Sequence, residues 1–201
     1  MIAGPMFAGK TEELLRRVHR ARLAGRAVEV VGHRLDDRGG AERLSTHLGR
    51  STPARMLEDP AALRDLLDGL AGGRPTEPSS QDGRLDLLAL DEAQFFGPAL
   101  VPVLEGLLEA GTDVAVAGLC LTYDGAPFSP LPELMARAEE VVKLTAVCTV
   151  CGADAAFHIR LTDDGADALS PTAAQVGGGE AYRARCRAHR DPAAQEPRRP
   201  G

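Results

Sequence analysis

The chain has no tryptophan, two tyrosines and five phenylalanines among 201 residues. With aromatics this scarce, its core has to be packed mainly from leucine, valine and alanine. Nowhere do about 18 apolar residues run together, which excludes a hydrophobic helix that spans a membrane. Nor is there an excess of positive charge: 23 Lys and Arg stand against 29 Asp and Glu, a net charge of −6. A protein that wraps a nucleic-acid backbone draws on a basic face, so nucleic acid is not an expected partner. The beginning of the sequence lacks the basic and apolar regions of a signal peptide, and the chain reads as cytoplasmic. In a reducing compartment its four cysteines read as metal ligands or bystanders rather than disulfides.

What the chain does have is Gly4 to Thr11, GPMFAGKT, which fits G-x-x-x-x-G-K-[ST]. In such a loop the glycines let backbone N–H groups turn towards phosphates, the lysine reaches the terminal phosphates and the hydroxyl sits on Mg²⁺. Gly4, Pro5, Met6, Phe7, Ala8, Gly9, Lys10 and Thr11 are therefore the expected triphosphate cradle. Leu14, Leu15, Val18 and Ala21 follow at helical spacing, so the loop opens a helix whose N-terminus favours a phosphate. Only Met1, Ile2 and Ala3 precede it. The strand that normally leads into such a loop is either very short or starts ahead of the given sequence.

Further on, Gly25 reads as a helix stop, Ala27 to Val31 as a strand, and Gly32 to Arg50 as a polar loop. A helix is expected after Asp59, with Pro60 in its first turn. Gly72 to Gly83 is Gly, Pro, Ser and acid without periodicity and reads as a surface insertion. The nearly all-apolar Leu85 to Leu90 suits a strand covered on both faces. It ends in Asp91 and Glu92, at the sheet edge where open α/β folds bind ligands. Asp91 is placed to hold the Mg²⁺ of a bound nucleotide and Glu92 to face an acceptor. A helix over Leu100 to Leu108, a strand over Asp113 to Gly118, a helix over Glu133 to Glu140 and a last strand over Val141 to Val147 complete a parallel α/β pattern. On composition alone, Tyr123 and Phe128 in the loop from Leu119 to Pro130 read as core aromatics.

Cys148-x-x-Cys151 and Cys186-x-x-His189 then offer three thiols and one imidazole, the set for a tetrahedral Zn²⁺. With that shell full no place is left for a catalytic water, so the metal is expected to be structural. Cys120 lies outside the set and reads as a small core residue. Between the two knuckles, Arg160 to Ala181, about 20 residues without periodicity, reads as a lid or binding loop tethered to the metal. The expected layout is a nucleotide-binding α/β domain over residues 1–147, a zinc and loop domain over 148–190 and a disordered tail over 191–201.

Taken together, GPMFAGKT, LDEAQFF, VVKLTAVCTVC and VGGGEAYRARCRAH resemble the thymidine kinase family of the cellular, zinc-containing type. The resemblance implies a P-loop, RecA-like parallel sheet with flanking helices, a small zinc domain and a lasso loop over the base. It implies transfer of the ATP γ-phosphate to the 5′-hydroxyl of thymidine or deoxyuridine, inhibition by the end-product triphosphate dTTP, and a homotetramer. By resemblance Glu92 is the general base. Met6, Phe95, Leu119, Phe128, His158 and Tyr182 line the nucleoside pocket, and the lasso backbone at Val176, Gly177 and Gly178 reads the pyrimidine. The chain departs from the family pattern at Gly32 and His33 (usually Lys-Pro), Cys120 (Asp), Asp124 (a basic or amide residue) and His158 (Thr, near the base methyl). Two alternatives follow: a deoxynucleoside kinase of shifted base preference, or a non-catalytic zinc-containing P-loop protein. The second has no use for Glu92.

Overall fold

A computed structural model describes residues 1–35, 42–46, 49–72, 85–161 and 182–191. Within these lies a six-stranded sheet of β1 (Ile2–Ala3), β2 (Val28–His33), β5 (Arg55–Leu57), β6 (Leu87–Leu90), β7 (Asp113–Gly118) and β8 (Val142–Lys143). Its order is β5-β2-β6-β7-β1-β8, and every pairing is parallel. The expected α/β architecture is thus present, and the strand that leads into the phosphate loop comprises Ile2 and Ala3. Because β1 reaches only Ala117 and Gly118 of β7, no described strand covers that edge of β7 over residues 113–116. A groove of about 790 Å³ opens there, at the opposite end of the strands from the phosphate loop.

Alternation along the strands divides the core in two. Leu87 and Ala89 of β6 join Ile2, Val30 and Ala117 under α1 (Lys10–Leu23), whose Leu14, Leu15, Val18 and Ala21 form its buried stripe. Leu88 and Leu90 face the other way, against Leu63 of α2 (Pro60–Gly72), Leu100 and Leu104 of α3 (Leu100–Glu109) and Leu131 of α4 (Leu131–Arg137). A strand buried on both faces has no polar side, which is why its sequence is a continuous apolar run.

Several boundaries differ from the sequence expectations. The second strand runs on through Gly32 and His33, and the polar stretch after it contains a hairpin, β3 (Arg43–Ser45) with β4 (Ser51–Pro53), before β5. Its short strands have too few apolar positions to stand out by period. A 3-10 turn, Ala93–Phe96, follows Glu92, and α4 ends at Arg137 rather than reaching Glu140. The stretch Val141 to Val147 divides: β8 joins the main sheet, while β9 (Ala146–Val147) pairs antiparallel with β10 (Asp154–Ala155). Beside them, β11 (Phe157–Arg160) pairs antiparallel with β12 (Tyr182–Arg185). The insertion, the lasso positions Val176, Gly177 and Gly178, and the tail beyond Asp191 lie outside the described residues.

Candidate functional site

The phosphate loop crosses from β1 to α1 at the C-terminal edge of the sheet. A Cβ on Gly4 would stand 2.7 Å from the Leu144 carbonyl oxygen, and Gly9 has φ +78°, so both ends of the motif require glycine. The N-cap of α1 is Gly9, which has no side chain to cap the first turn, and a helix N-terminus of this kind favours an anion. Lys10 is buried, its ammonium donating to the Pro5 carbonyl at 2.9 Å across the loop. Phe7, at φ +65°, is turned outward and exposed, while Ala8 packs against the Cys148 and Ala184 cluster. The zinc-ligand module and the phosphate loop therefore share a packed interface.

Asp91 ends β6 with no exposed surface, and the Thr11 hydroxyl donates to its Oδ2 at 2.7 Å. Two residues eighty positions apart are brought together, the hydroxyl of the loop and the carboxylate of the strand. Burial, and then the neighbouring Glu92 carboxylate, push the Asp91 carboxyl up to about 7, against the opposing hydrogen bond from Thr11. A fully buried carboxylate in this position is stabilised by a cation beside it.

Glu92 is the next residue, at φ +52° and ψ +41°, a left-handed conformation rare outside glycine. That kink carries the chain off the strand into the 3-10 turn. Gln94 in the turn, 2% exposed, donates from Nε2 to Glu92 Oε2 at 2.5 Å, and its Oε1 accepts from the Leu119 N–H at 3.0 Å.

Next in the same turn, Phe95 borders a narrow cavity of about 10 Å³ with Met6, Leu119, Thr122, Tyr123, Phe128, His158 and Tyr182. All six side chains expected at a nucleoside pocket, among the described residues, meet there. Its walls come from the phosphate loop, the 3-10 turn, the loop after β7 and the β11–β12 pair. Phe95 meets Phe128 edge-on at 6.4 Å between ring centres, a favoured aromatic geometry. Tyr123 joins the lining rather than the core; a lone aromatic in a loop carries no periodic signal that would tell the two apart. Glu92 is not a wall of the cavity, and its link to it runs through Gln94 and Leu119.

His158 is buried, edge-on to Tyr182 at 5.8 Å, and its Nδ1 has no hydrogen-bond partner among the described residues. Burial, with a smaller contribution from the Lys10 charge, lowers its pKa to about 4. The folded chain then binds fewer protons than the unfolded one between about pH 6.5 and 4, so stability falls with acid across that window. Over these two to three units the loss approaches about 3 kcal/mol. Replacing His158 by Leu should flatten the acid side of a urea-denaturation series by that amount. An unchanged pH dependence in the variant would refute this account of the residue.

The other departures have local explanations. Cys120 is buried in the core on the α2–α4 face. Asp124 accepts from the Thr122 hydroxyl within its own turn, which closes through Thr122 N–H to Ala126 carbonyl at 2.9 Å. His33 was expected in a loop but is buried at the end of β2. The Leu35 N–H donates to its Nδ1, so Nε2 carries the proton and donates to the Glu58 carbonyl at 2.8 Å. Its ring stacks beside Phe95 and Phe96 and steadies the 3-10 turn from below.

Cys148, Cys151, Cys186 and His189 converge, with ligand atoms all within 4.8 Å of one another. The Cys151 and Cys186 sulfurs lie 3.7 Å apart, much too far for a disulfide. The edge of a tetrahedron of Zn–S bonds is about 3.8 Å, so the donors fit a zinc ion. Cys148 is buried, which alone would raise its pKa; N–H groups of Cys186, Val150 and Cys151 outweigh this and lower it to about 6. Those donors favour the thiolate that a metal needs.

Comparison with known proteins agrees with this geometry. The family model described as Thymidine kinase matches residues 1–190. A protein of Deinococcus deserti named Thymidine kinase is 43% identical over 189 residues, covering 94% of this chain and 92% of its own length. Proteins of the same name from Deinococcus radiodurans and Haloquadratum walsbyi are 42% and 40% identical, covering 94% and 93% of this chain and 87% and 92% of their own lengths. A match of this extent, over a chain that carries the phosphate loop, the acidic pair and the Cys₃His set, places the protein in the thymidine kinase family.

Proposed function

We propose that the chain transfers the γ-phosphate of ATP to the 5′-hydroxyl of thymidine or deoxyuridine, yielding the monophosphate for DNA synthesis. The observation that carries this reading is the cavity walled jointly by the phosphate loop and the zinc-ligand module, two hydrogen bonds from Glu92 through Gln94. Backbone N–H groups of Met6 to Thr11 and the Lys10 ammonium hold the phosphates. Thr11 and Asp91 would hold Mg²⁺, directly or through water; when bound, the ion neutralises charge on the β- and γ-phosphates. Glu92 takes the proton of the 5′-hydroxyl as it attacks. Little else is required, because phosphoryl transfer depends chiefly on alignment and charge stabilisation.

The nucleoside lies against Met6, Phe95, Leu119, Phe128, His158 and Tyr182, with the backbone at Val176, Gly177 and Gly178 reading the pyrimidine edge. The zinc ion is structural, since four protein donors complete its shell. The two-part layout divided near residue 147, a homotetramer and inhibition by dTTP belong to the same reading and are supported by family membership alone. A cytoplasmic setting agrees with thiols kept reduced for metal binding.

A second reading, phosphorylation of a deoxynucleoside with altered base preference, is favoured by His158. Its buried Nδ1, without a partner among the described residues, asks for a polar group on the ligand. Both readings are tested by measuring kcat/KM with ATP and Mg²⁺ for thymidine, deoxyuridine, deoxycytidine and the purine deoxynucleosides. Thymidine or deoxyuridine should lead by about tenfold or more; a lead by deoxycytidine selects the second reading, and no transfer to any of them sinks both.

A further inference from the structure

We propose that Gln94 is a positioning residue of this site, a bridge that aims the Glu92 carboxylate and ties it to the wall of the nucleoside cavity. The proposal rests on the reading of Glu92 as the proton acceptor. Gln94 is 2% exposed and both ends of its amide are engaged. Its orientation follows from its partners: the Leu119 N–H can only donate, so the amide oxygen faces it, and a carboxylate can only accept, so the NH₂ faces Glu92. One rigid planar group thereby spans the end of β6 and the loop after β7.

Two features of the sequence serve this bridge. Gly118, immediately before Leu119, must lack a side chain, because a Cβ there would stand 2.7 Å from Gln94 Oε1 and 3.1 Å from Leu131 Cδ1. The left-handed backbone of Glu92 starts the 3-10 turn that returns residue 94 towards residue 92. A side chain with three rotatable bonds such as Glu92 loses rotamer freedom when aimed, and a charged acceptor hydrogen-bonded by a buried amide stays aimed. Since Leu119 and Phe95 both line the cavity, the bridge holds the carboxylate in register with the wall that seats the sugar. A small misplacement of a general base lowers turnover steeply without altering nucleotide binding.

The test uses the full chain. Gln94→Met keeps the volume and removes both contacts, while Gln94→Glu keeps the acceptor for Leu119 and sets a second carboxyl against Glu92 in place of the amide donor. Both should lower kcat about tenfold or more, with the KM for ATP within about twofold of wild type. In a Glu92→Gln background, Gln94→Met should lower kcat by less than about twofold, because no base remains to be aimed. Equal losses in both backgrounds, or unchanged kcat in both single variants, overturn the proposal. The side-chain NH₂ signals of Gln94 in ¹⁵N-labelled protein should shift when Glu92 becomes Gln; unmoved signals overturn it whatever the activity. A wild type that transfers phosphate to no nucleoside defeats the kinase reading, and the NH₂ signals then decide the bridge alone.

Discussion

Replacing Glu92 by Gln is expected to lower thymidine phosphorylation by about 10² or more, equivalent to about 2.7 kcal/mol on the barrier, while ATP binding stays as in wild type. The separation of effects follows from where the residues stand. Lys10, Thr11 and Asp91 form their own hydrogen-bonded set around the phosphate loop, and none of these contacts passes through the Glu92 side chain. An amide in its place preserves shape and can still accept from Gln94, but it cannot accept the proton of the 5′-hydroxyl. Loss of one nearby negative charge also relieves the repulsion on Asp91, so the nucleotide end of the site should be no weaker. Steady-state phosphorylation together with ATP titration by calorimetry measures both quantities. Turnover within about threefold of wild type would remove Glu92 from the chemistry and leave the acidic pair to Asp91 alone.

How far the site could be read from residues depended on how local each signal was. The phosphate loop was legible because glycine is required at Gly4 by crowding and at Gly9 by its positive φ, and such demands leave fixed letters at fixed spacing. The buried strand β6 was legible because burial on both faces makes a continuous apolar run. The Cys₃His set was legible because metal geometry demands two close pairs, whatever separates them. Gln94 was not, since its role arises from a 3-10 turn too short for periodicity and from Leu119, twenty-five residues on. His33 looked like a loop residue because Gly32 and a polar stretch surround it, yet parallel pairing with β5 carries the strand through both. The cavity was reached through resemblance rather than pattern: Met6, Phe95, Leu119, Phe128, His158 and Tyr182 share no spacing, and only tertiary folding assembles them.

Removing zinc is expected to disable the nucleoside end of the site and spare the nucleotide end. The module that carries His158 and Tyr182 is two short antiparallel pairs, β9 with β10 and β11 with β12. Among the described residues its buried cluster holds Ala146, Cys148, Ala155 and Ala184 with Ala8, Val150 and Cys186 at the margin, and its larger buried side chains are Phe157, Ile159 and Tyr182. Two-stranded pairs with so little apolar surface are not stable alone. A structural zinc site contributes on the order of 10 kcal/mol, more than this cluster can supply. In Cys186→Ser the bound zinc should fall from about one ion per chain to none, and β11 and β12 should lose their order because residue 186 directly follows β12. The KM for thymidine should then rise about tenfold or more, since two cavity walls are lost. The six-stranded sheet has its own two cores on either face, so ATP binding and the helical circular dichroism should persist. Metal analysis, thymidine titration and ATP titration on one preparation distinguish these effects. Wild-type protein purified without any zinc, or a zinc-free variant that binds thymidine normally, would show that the module stands without its metal and that the cavity owes its walls to packing against the phosphate loop instead.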